Sequence, residues 1–369
     1  MDVMREMREM GHERVLVCSN PDAGLEALIA VHSTVLGPSL GGCRMFPYGS
    51  FEEALKDVLR LSRGMTYKAA AAGLNLGGGK AVIIGNPKQD KSEALFRAFG
   101  SYVESLGGLY ITAEDSGTDT EDMEIILQET RWVTGVSLSN GGSGNPSPVT
   151  ALGVLQGMKA AARWKYGDPS LAGMAVAIQG LGAVGSALAR YLKDEGAKVF
   201  GCDVYAENAA RSAEEAGVEI VSPEEIFDVD CHIFAPCALG AILDDQTIPR
   251  LRCQIIAGAA NNQLADQDVH GPALEARGIL YAPDFVINAG GLINVYNEIN
   301  PNGYNQERAM RMTRGIHLNM MRVFEIAKAE GIPTCVAAER MAEERIARIK
   351  SLRPRHWSRQ LALRTNHHR

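Results

Sequence analysis

Two lysines stand where charge is otherwise missing. Lys68 closes Met65-Thr66-Tyr67-Lys68, Lys80 follows the triple glycine Gly77-Gly78-Gly79, and residues 69–76 between them carry no ionisable side chain. A lysine in so apolar a run is expected to be buried or partly buried. Desolvation and the second lysine then disfavour the ammonium, which frees an amine to act as a general base. Either lysine alone also fits a surface side chain lying along apolar neighbours. That reading weakens beside Asp115, whose carboxylate sits in the compact motif Thr112-Ala113-Glu114-Asp115-Ser116-Gly117. The eight histidines lack comparable settings and read as structural or surface residues.

A second constellation is built from glycine. Gly180, Gly182 and Gly185 form G-x-G-x-x-G, with Ala183 and Val184 between the last two. The run follows an apolar strand pattern at residues 174–178 and opens a helical pattern. One glycine permits the tight turn, one lets a pyrophosphate approach the backbone, and one lets helix and strand pack closely. The phosphates then meet the unsatisfied N–H groups of the helix N-terminus. Asp203 closes the next strand, eighteen residues past the last glycine, where a carboxylate would bond the adenosine ribose hydroxyls. Val204 and Tyr205 follow, with no adjacent arginine for a 2′-phosphate, so the pattern predicts NAD rather than NADP.

The elements that must carry these residues fall into two patterns. Residues 51–65 and 95–106 show amphipathic helical stripes. Short strand-like runs lie at 14–18, 28–33, 81–84 and 109–112, the first two reading as a hairpin. The turn-rich stretch 141–147 reads as a hinge. From residue 148 a helix leads into strict strand–helix alternation, with strands at 174–178, 198–202, 232–235 and 254–257. Ser222-Pro223-Glu224-Glu225 has the form of a capped helix start, and the pattern is helical from about residue 306. The predicted fold is α/β with two domains. Residues 1–146 form a mixed-sheet substrate-binding and oligomerisation domain, and 147–325 a parallel-sheet Rossmann dinucleotide-binding domain. Residues 326–369 are C-terminal helices returning to the first domain, with a basic tail after about 350.

Bulk properties agree. The chain has 369 residues, 46% hydrophobic and 22% charged, with a net charge of -7. That is ordinary globular composition with no basic stripe for nucleic acid. The one basic segment, 351–369, holds five Arg and three His and reads as a solvated end. Seven scattered cysteines without a C-x-x-C pair indicate reduced thiols and no structural metal site. No leader-like or membrane-spanning run is visible, so a cytoplasmic location is expected.

Eight ordered motifs together resemble the family of leucine, valine, phenylalanine and glutamate dehydrogenases, the leucine branch most. They are LGPSLGGCRM, GMTYKAAAAGLNLGGGKAVI, YITAEDSGT, GNPSPVTALGV, QGLGAVG, FAPCALGA, IAGAANNQL and YAPDFVINAGGLINV, and the likeness runs from about residue 12 to 350. The resemblance implies roles. Lys68 would bind the substrate carboxylate, with Gly41 and Gly42 admitting it to the backbone. Lys80 would be the general base, and Asp115 would exchange protons with the imine and carbinolamine intermediates. Thr150, Ala238, Asn261 and Asn262 would contact NAD, and Asn288 would line the substrate cleft. Leu40 stands where glutamate dehydrogenases place a lysine for the distal carboxylate, and Ala113, Leu292 and Val295 would complete an apolar pocket. The implied reaction is reversible oxidative deamination of a branched-chain L-amino acid by a homo-oligomer, often an octamer.

Alternatives stay open at this point. Gly79 and Cys43 are shared with the phenylalanine branch. A 2-hydroxy-acid dehydrogenase would carry the same glycine fingerprint but want a histidine at the carbonyl, and a non-catalytic NAD-binding protein would not turn over.

Overall fold

The computed structural model describes residues 2–352; the basic tail beyond them lies outside the described residues. Two compact units divide the chain. Of the described residues, the first holds those up to Asn145, then Val295–Gln306, and those from Ala342 to Leu352; the second holds Pro146–Asn294 and Glu307–Met341.

In the first unit the order is α1 (Val3–Met10), β1 (Arg14–Asn20), β2 (Leu25–Ser33), β3 (Ser39–Phe46), α2 (Phe51–Ala71), β4 (Gly77–Ile84), α3 (Glu93–Ser105), β5 (Tyr110–Glu114) and α4 (Thr120–Leu127). The strands form one mixed sheet in the order β1-β2-β4-β3-β5. β1 and β2 pair antiparallel as a hairpin, and β3 runs parallel to both β4 and β5. β3 has no counterpart in the apolar periodicity. Its centre is Gly41-Gly42 and it follows Pro38, so its residues read as a loop, although β3 joins the two strands that carry the chemistry.

The sheet is covered on both faces. Ser50 caps α2 by accepting from Glu53 N–H, and its apolar stripe, Ala54, Leu55, Val58 and Leu59, packs on Leu28, Ala30 and Val82. Each such Leu or Val contributes about 1.5–3 kcal/mol on burial. Leu95, Phe96, Phe99 and Val103 of α3 cover the other face, against Cys43, Met45, Ala81 and Ile83. The alternation along β4 therefore aims Val82, and with it Lys80, at the α2 side.

From Ser147 onward the elements are α5 (Ser147–Tyr166), β6 (Ala175–Gln179), α6 (Ala183–Asp194), β7 (Lys198–Cys202), α7 (Ala206–Ala216), β8 (Glu219–Ile220), β9 (Ile233–Pro236), β10 (Ile255–Ile256), α8 (Gln267–Ala276), β11 (Leu280–Tyr281), α9 (Asp284–Ile287), α10 (Gly290–Tyr296), α11 (Gln306–Arg314), α12 (Ile316–Glu330) and α13 (Thr334–Ser351); all belong to the second unit except the end of α10 from Val295, Gln306, and α13 from Ala342. The second unit's sheet is fully parallel, in the order β11-β10-β9-β6-β7-β8. Such a sheet is buried on both faces, and its central strands β6, β9 and β10 are correspondingly apolar, whereas the edge strand β8 is exposed.

Three expectations need correction. Ser222 and Glu225 do exchange the reciprocal cap bonds, but only a single 3₁₀ turn, Glu225–Asp228, follows. Spacing ends the second domain at residue 325, whereas the structure carries it to Met341. Cys335 belongs to the second unit's core, and the Thr334 hydroxyl donates to Tyr281 O at 2.7 Å. Conversely, Val295–Gln306 joins the first unit. There the Glu298 carboxylate accepts from Gly135 N–H at 3.0 Å and from Ser143 N–H at 3.0 Å. Helical periodicity shows that a face is buried, not which core buries it.

Candidate active site

Lys80 is 6% exposed. Its uncharged sequence neighbourhood suggests an isolated ammonium, but the fold brings the Asp115 carboxylate to it, with Nζ 2.8 Å from Oδ2. Arg44 Nε meets the same oxygen at 3.1 Å. Burial by itself would raise the Asp115 carboxyl, but the neighbouring Lys80 and Arg44 cations outweigh it and hold the group below the usual carboxylate range. In this arrangement Asp115 is a proton acceptor.

Several residues not singled out by sequence reasoning set this geometry. Arg44 also donates to Asp57 Oδ2 at 2.9 Å, and the Tyr48 hydroxyl donates to that oxygen at 2.7 Å. Thr118 braces the turn after β5: its hydroxyl accepts from Asp115 N–H at 3.0 Å and lies 2.7 Å from Cys43 O. Gly117 is needed there, because its φ is +85° and a Cβ would lie 2.1 Å from Met45 O. Arg44 and Thr118 do fall inside the family motifs. Asp57 and Tyr48 carry no such signal, because their partner is reached only through the fold.

The remaining first-unit residues lie on α2, β3 and β5 and in the returning segment Val295–Gln306. Lys68 is half-buried near the end of α2. Leu40 and Ala113 are buried on β3 and β5, in register with Gly78 and Gly42 respectively. A Cβ on Gly41 would lie 1.8 Å from Gly79 O, and one on Gly42 would lie 2.4 Å from Glu114 O. Val295 is half-buried in this unit, whereas Asn288 and Leu292 belong to the second unit.

In the second unit each fingerprint glycine has its own reason. Gly180 turns the chain at φ +101° and abuts Ala238, whose Cβ would be 2.6 Å from an added one. Gly185 lets α6 approach, since a Cβ there would lie 1.9 Å from Gly180 O. At Gly182 a Cβ would meet nothing within 4 Å, and no side chain caps α6. Open space before an uncapped helix N-terminus, beside Ala183 and Val184, fits the pyrophosphate of a dinucleotide.

Asp203 shapes this loop as well: Oδ2 accepts from Leu181 N–H and Oδ1 from Tyr205 N–H, both at 2.8 Å. Asn208 links Asp203 to the exposed Arg211, donating to the former at 3.3 Å and accepting from the latter at 2.8 Å. An arginine absent from the sequence next to Asp203 is therefore joined to it through Asn208, which lies one helical turn before Arg211.

The loops after β9 and β10 meet beside this turn. Among the described residues Ala241 and Asn262 are the non-glycine residues with positive φ, at 55° and 52°, and Ala241 N–H donates to Asn262 O at 2.7 Å. Asn288 Nδ2 donates to Asn261 Oδ1 at 2.7 Å and to Ala259 O at 3.0 Å. Strained backbone of this kind collects at ligand sites. Thr150, in the first turn of α5, lies against Gly291, whose added Cβ would be 3.0 Å from its hydroxyl. Thus Gly180, Ala238, Asn261, Asn262 and Asn288 gather at the carboxyl ends of the parallel strands, where open α/β sheets bind ligands. Among the described residues no cluster of His, Cys, Asp and Glu could hold a metal ion.

Comparison with known proteins agrees with both halves. Residues 12–132 match the profile of the Glu/Leu/Phe/Val dehydrogenase dimerisation domain, and 203–353 that of Glutamate/Leucine/Phenylalanine/Valine dehydrogenase. Residues 154–241 also match the NAD-binding domain of D-isomer specific 2-hydroxyacid dehydrogenases, which accords with the shared glycine turn. The leucine dehydrogenase of Thermoactinomyces intermedius is 57% identical over 353 residues, covering 96% of each chain. That of Geobacillus stearothermophilus is 56% identical, covering 96% of this chain and 95% of its own. The crystal structure of L-tryptophan dehydrogenase from Nostoc punctiforme superposes with a TM-score of 0.84 at 47% identity, covering 94% of this chain and 99% of that one. With its lysine–carboxylate centre in one unit and its dinucleotide turn in the other, the chain belongs to the Glu/Leu/Phe/Val dehydrogenase family of NAD-dependent amino-acid dehydrogenases.

Proposed function

We propose that the chain catalyses the reversible, NAD-dependent oxidative deamination of leucine, valine and isoleucine. The observation that carries this is the ion pair of buried Lys80 with half-buried Asp115, within a chain 57% identical to a leucine dehydrogenase.

Gly180, Gly182, Ala183, Val184 and Gly185 would cradle the pyrophosphate, and Asp203 and Ala238 the adenosine end. Thr150, Asn261 and Asn262 would position the nicotinamide ribose. When bound, NAD⁺ supplies the acceptor for the hydrogen on the substrate Cα. Lys68 holds the substrate carboxylate, with the side-chain-free backbone at Gly41 and Gly42 alongside. Lys80 Nζ takes a proton from the water that attacks the imino acid. Asp115 exchanges a proton with the imine and carbinolamine nitrogen, so the amine leaves as ammonium. Per turnover, amino acid, NAD⁺ and water give 2-oxo acid, ammonium, NADH and one proton.

Leu40, Ala113 and Val295 of the first unit present no cation. A glutamate side chain would lose hydration there without compensation, whereas an aliphatic one gains about 0.8 kcal/mol per buried methylene. An aromatic L-amino acid is a second reading, favoured by the 47% identity to the L-tryptophan dehydrogenase. NADH formation at alkaline pH across a panel of L-amino acids separates the two. Turnover of leucine, valine and isoleucine supports the first, and preference for phenylalanine or tryptophan the second. Equal turnover of glutamate would defeat both.

The same reading makes the chain a cytoplasmic homo-oligomer, an octamer by the resemblance. The dimerisation-domain profile over residues 12–132 supports association, and among the described residues no helix is long and apolar enough to cross a membrane. Light scattering of the purified protein measures the subunit number.

A further inference from the structure

The chain between Lys68 and Lys80 is held from outside. α2 ends at Ala71 with Ala72 as its C-cap, Gly73 follows at φ +75°, and Leu74 N–H reaches back to Ala69 O at 3.0 Å. This ending still leaves carbonyls turned away from the helix. The half-buried guanidinium of Arg345, on the last turns of α13, takes them up. It donates to Leu74 O at 2.7 Å, Gly73 O at 3.1 Å, Ala70 O at 3.4 Å and Asn75 Oδ1 at 3.1 Å.

Two further contacts fasten the same turn. The Tyr67 hydroxyl donates to Glu343 at 2.7 Å while accepting from Arg63 at 3.0 Å. Ala342 and Ile346 pack with Leu36, Tyr67 and Ala70. α13 therefore grips the residues flanking Lys68, together with the loop that continues into β4. Gly77 N–H bonds Pro38 O at 2.8 Å, and Lys80 lies three residues beyond it.

We infer that Arg345 is a positioning residue for Lys68 and Lys80, acting through residues 72–76. This rests on the roles proposed above for the two lysines. The physical reason is the fork of N–H donors: a guanidinium addresses several carbonyls in fixed geometry, which a single ammonium cannot. Lys68 lies in the last turn of α2 and Lys80 inside β4, and the loop that Arg345 ties down joins the two elements. A misplacement of about 1 Å in such a constellation lowers activity on the order of 10²-fold.

The test compares Arg345→Ala and Arg345→Lys in the full-length enzyme. The expected result for Arg345→Ala is a raised KM for L-leucine, with kcat/KM lower by at least ~30-fold and the Kd for NADH unchanged. Arg345→Lys should recover only part of the loss. Guanidinium ion at millimolar concentration should lower the KM of the alanine variant and leave the parent unaffected. Should the alanine variant fail to fold, Arg345→Gln, which keeps one amide donor, is measured in its place. Unchanged kinetic constants overturn the inference, as does a loss that guanidinium does not mend and that follows only the unfolded fraction. Lys68→Ala and Lys80→Ala, measured in parallel, separate the two levels. If neither impairs turnover, the reading of the site is wrong; if both do while Arg345→Ala does not, only the positioning role fails.

Discussion

Lys80 and Asp115 form their ion pair across a strand that belongs to neither of them. β3 runs between β4 and β5. The register Leu40↔Gly78 and Cys43↔Ala81 sets Lys80 opposite Gly42, which in turn faces Ala113. The 2.8 Å contact therefore depends on a residue with no side chain. At Gly42 a Cβ would stand 2.8 Å from Asp115 Cβ and 2.4 Å from Glu114 O. Gly42→Ala should displace β5 and lower kcat/KM on the order of 10²-fold, with the NADH Kd unchanged. Steady-state kinetics with fluorescence titration of NADH check this; retention of most of the activity would count against it.

Lys80→Ala removes the proposed base and one of the two cations holding Asp115 ionised. Turnover number is expected to fall at least ~10²-fold, and NADH binding, which involves the second unit, to stay intact. A variant with near-parental kcat would show that Lys80 is not the base.

Asp203 has both oxygens engaged by backbone N–H groups, and Asn208 joins it to Arg211. A 2′-phosphate would meet this carboxylate, so NAD should be preferred more than about a hundredfold in kcat/KM. Asp203→Ser should narrow the ratio from both sides, because it removes the repulsion and frees Asn208 and Arg211. An unaltered ratio in that variant would remove Asp203 from the specificity argument.

His12 and His32 pack edge to face, 4.8 Å apart. Burial pushes each imidazole down to about 4, and the Arg63 charge adds to this. In the unfolded chain both titrate near 6.5, so between pH 6.5 and 4 the unfolded state binds more protons. Stability from this pair is present above pH 6.5 and lost as pH falls through that window. Glu114 and Glu298, both raised chiefly by burial, work in the opposite direction. The pair is therefore read by difference: replacing both histidines with asparagine should flatten the fall of melting temperature from pH 6.5 to 4. An equally steep fall in the double variant would refute the assignment.

Leu40 is 1% exposed, so Leu40→Ala opens a cavity and should lower stability by about 2–5 kcal/mol. If it floors the substrate pocket, the same change moves the leucine-to-phenylalanine ratio of kcat/KM toward phenylalanine. An unchanged ratio, with the stability loss present, would place Leu40 in the core alone.

The second unit was largely readable because its signals are local. In G-x-G-x-x-G the last glycine answers to an atom a few residues away, Gly185 to Gly180 O, and the pattern is carried by three glycines within six residues. Strand–helix alternation likewise implies a covered parallel sheet without knowledge of the partners. The stripe of α2 and the burial of Lys80 follow from apolar neighbours in the chain, and the family motifs carried the site residues with them.

Contacts distant in sequence were decided by tertiary structure. β3 hides behind Pro38 and Gly41-Gly42, because the glycines that keep two strands free of side chains also erase the strand's apolar period. Arg44, Asp57 and Tyr48 converge only once β3 lies under α2. The return of Val295–Gln306 to the first unit turns on Glu298 meeting Gly135 and Ser143, residues more than 150 positions away. Propensity and periodicity act over one or two turns of chain. A charge finds its partner through strand order, which is settled only when the whole sheet and its covering helices are buried together.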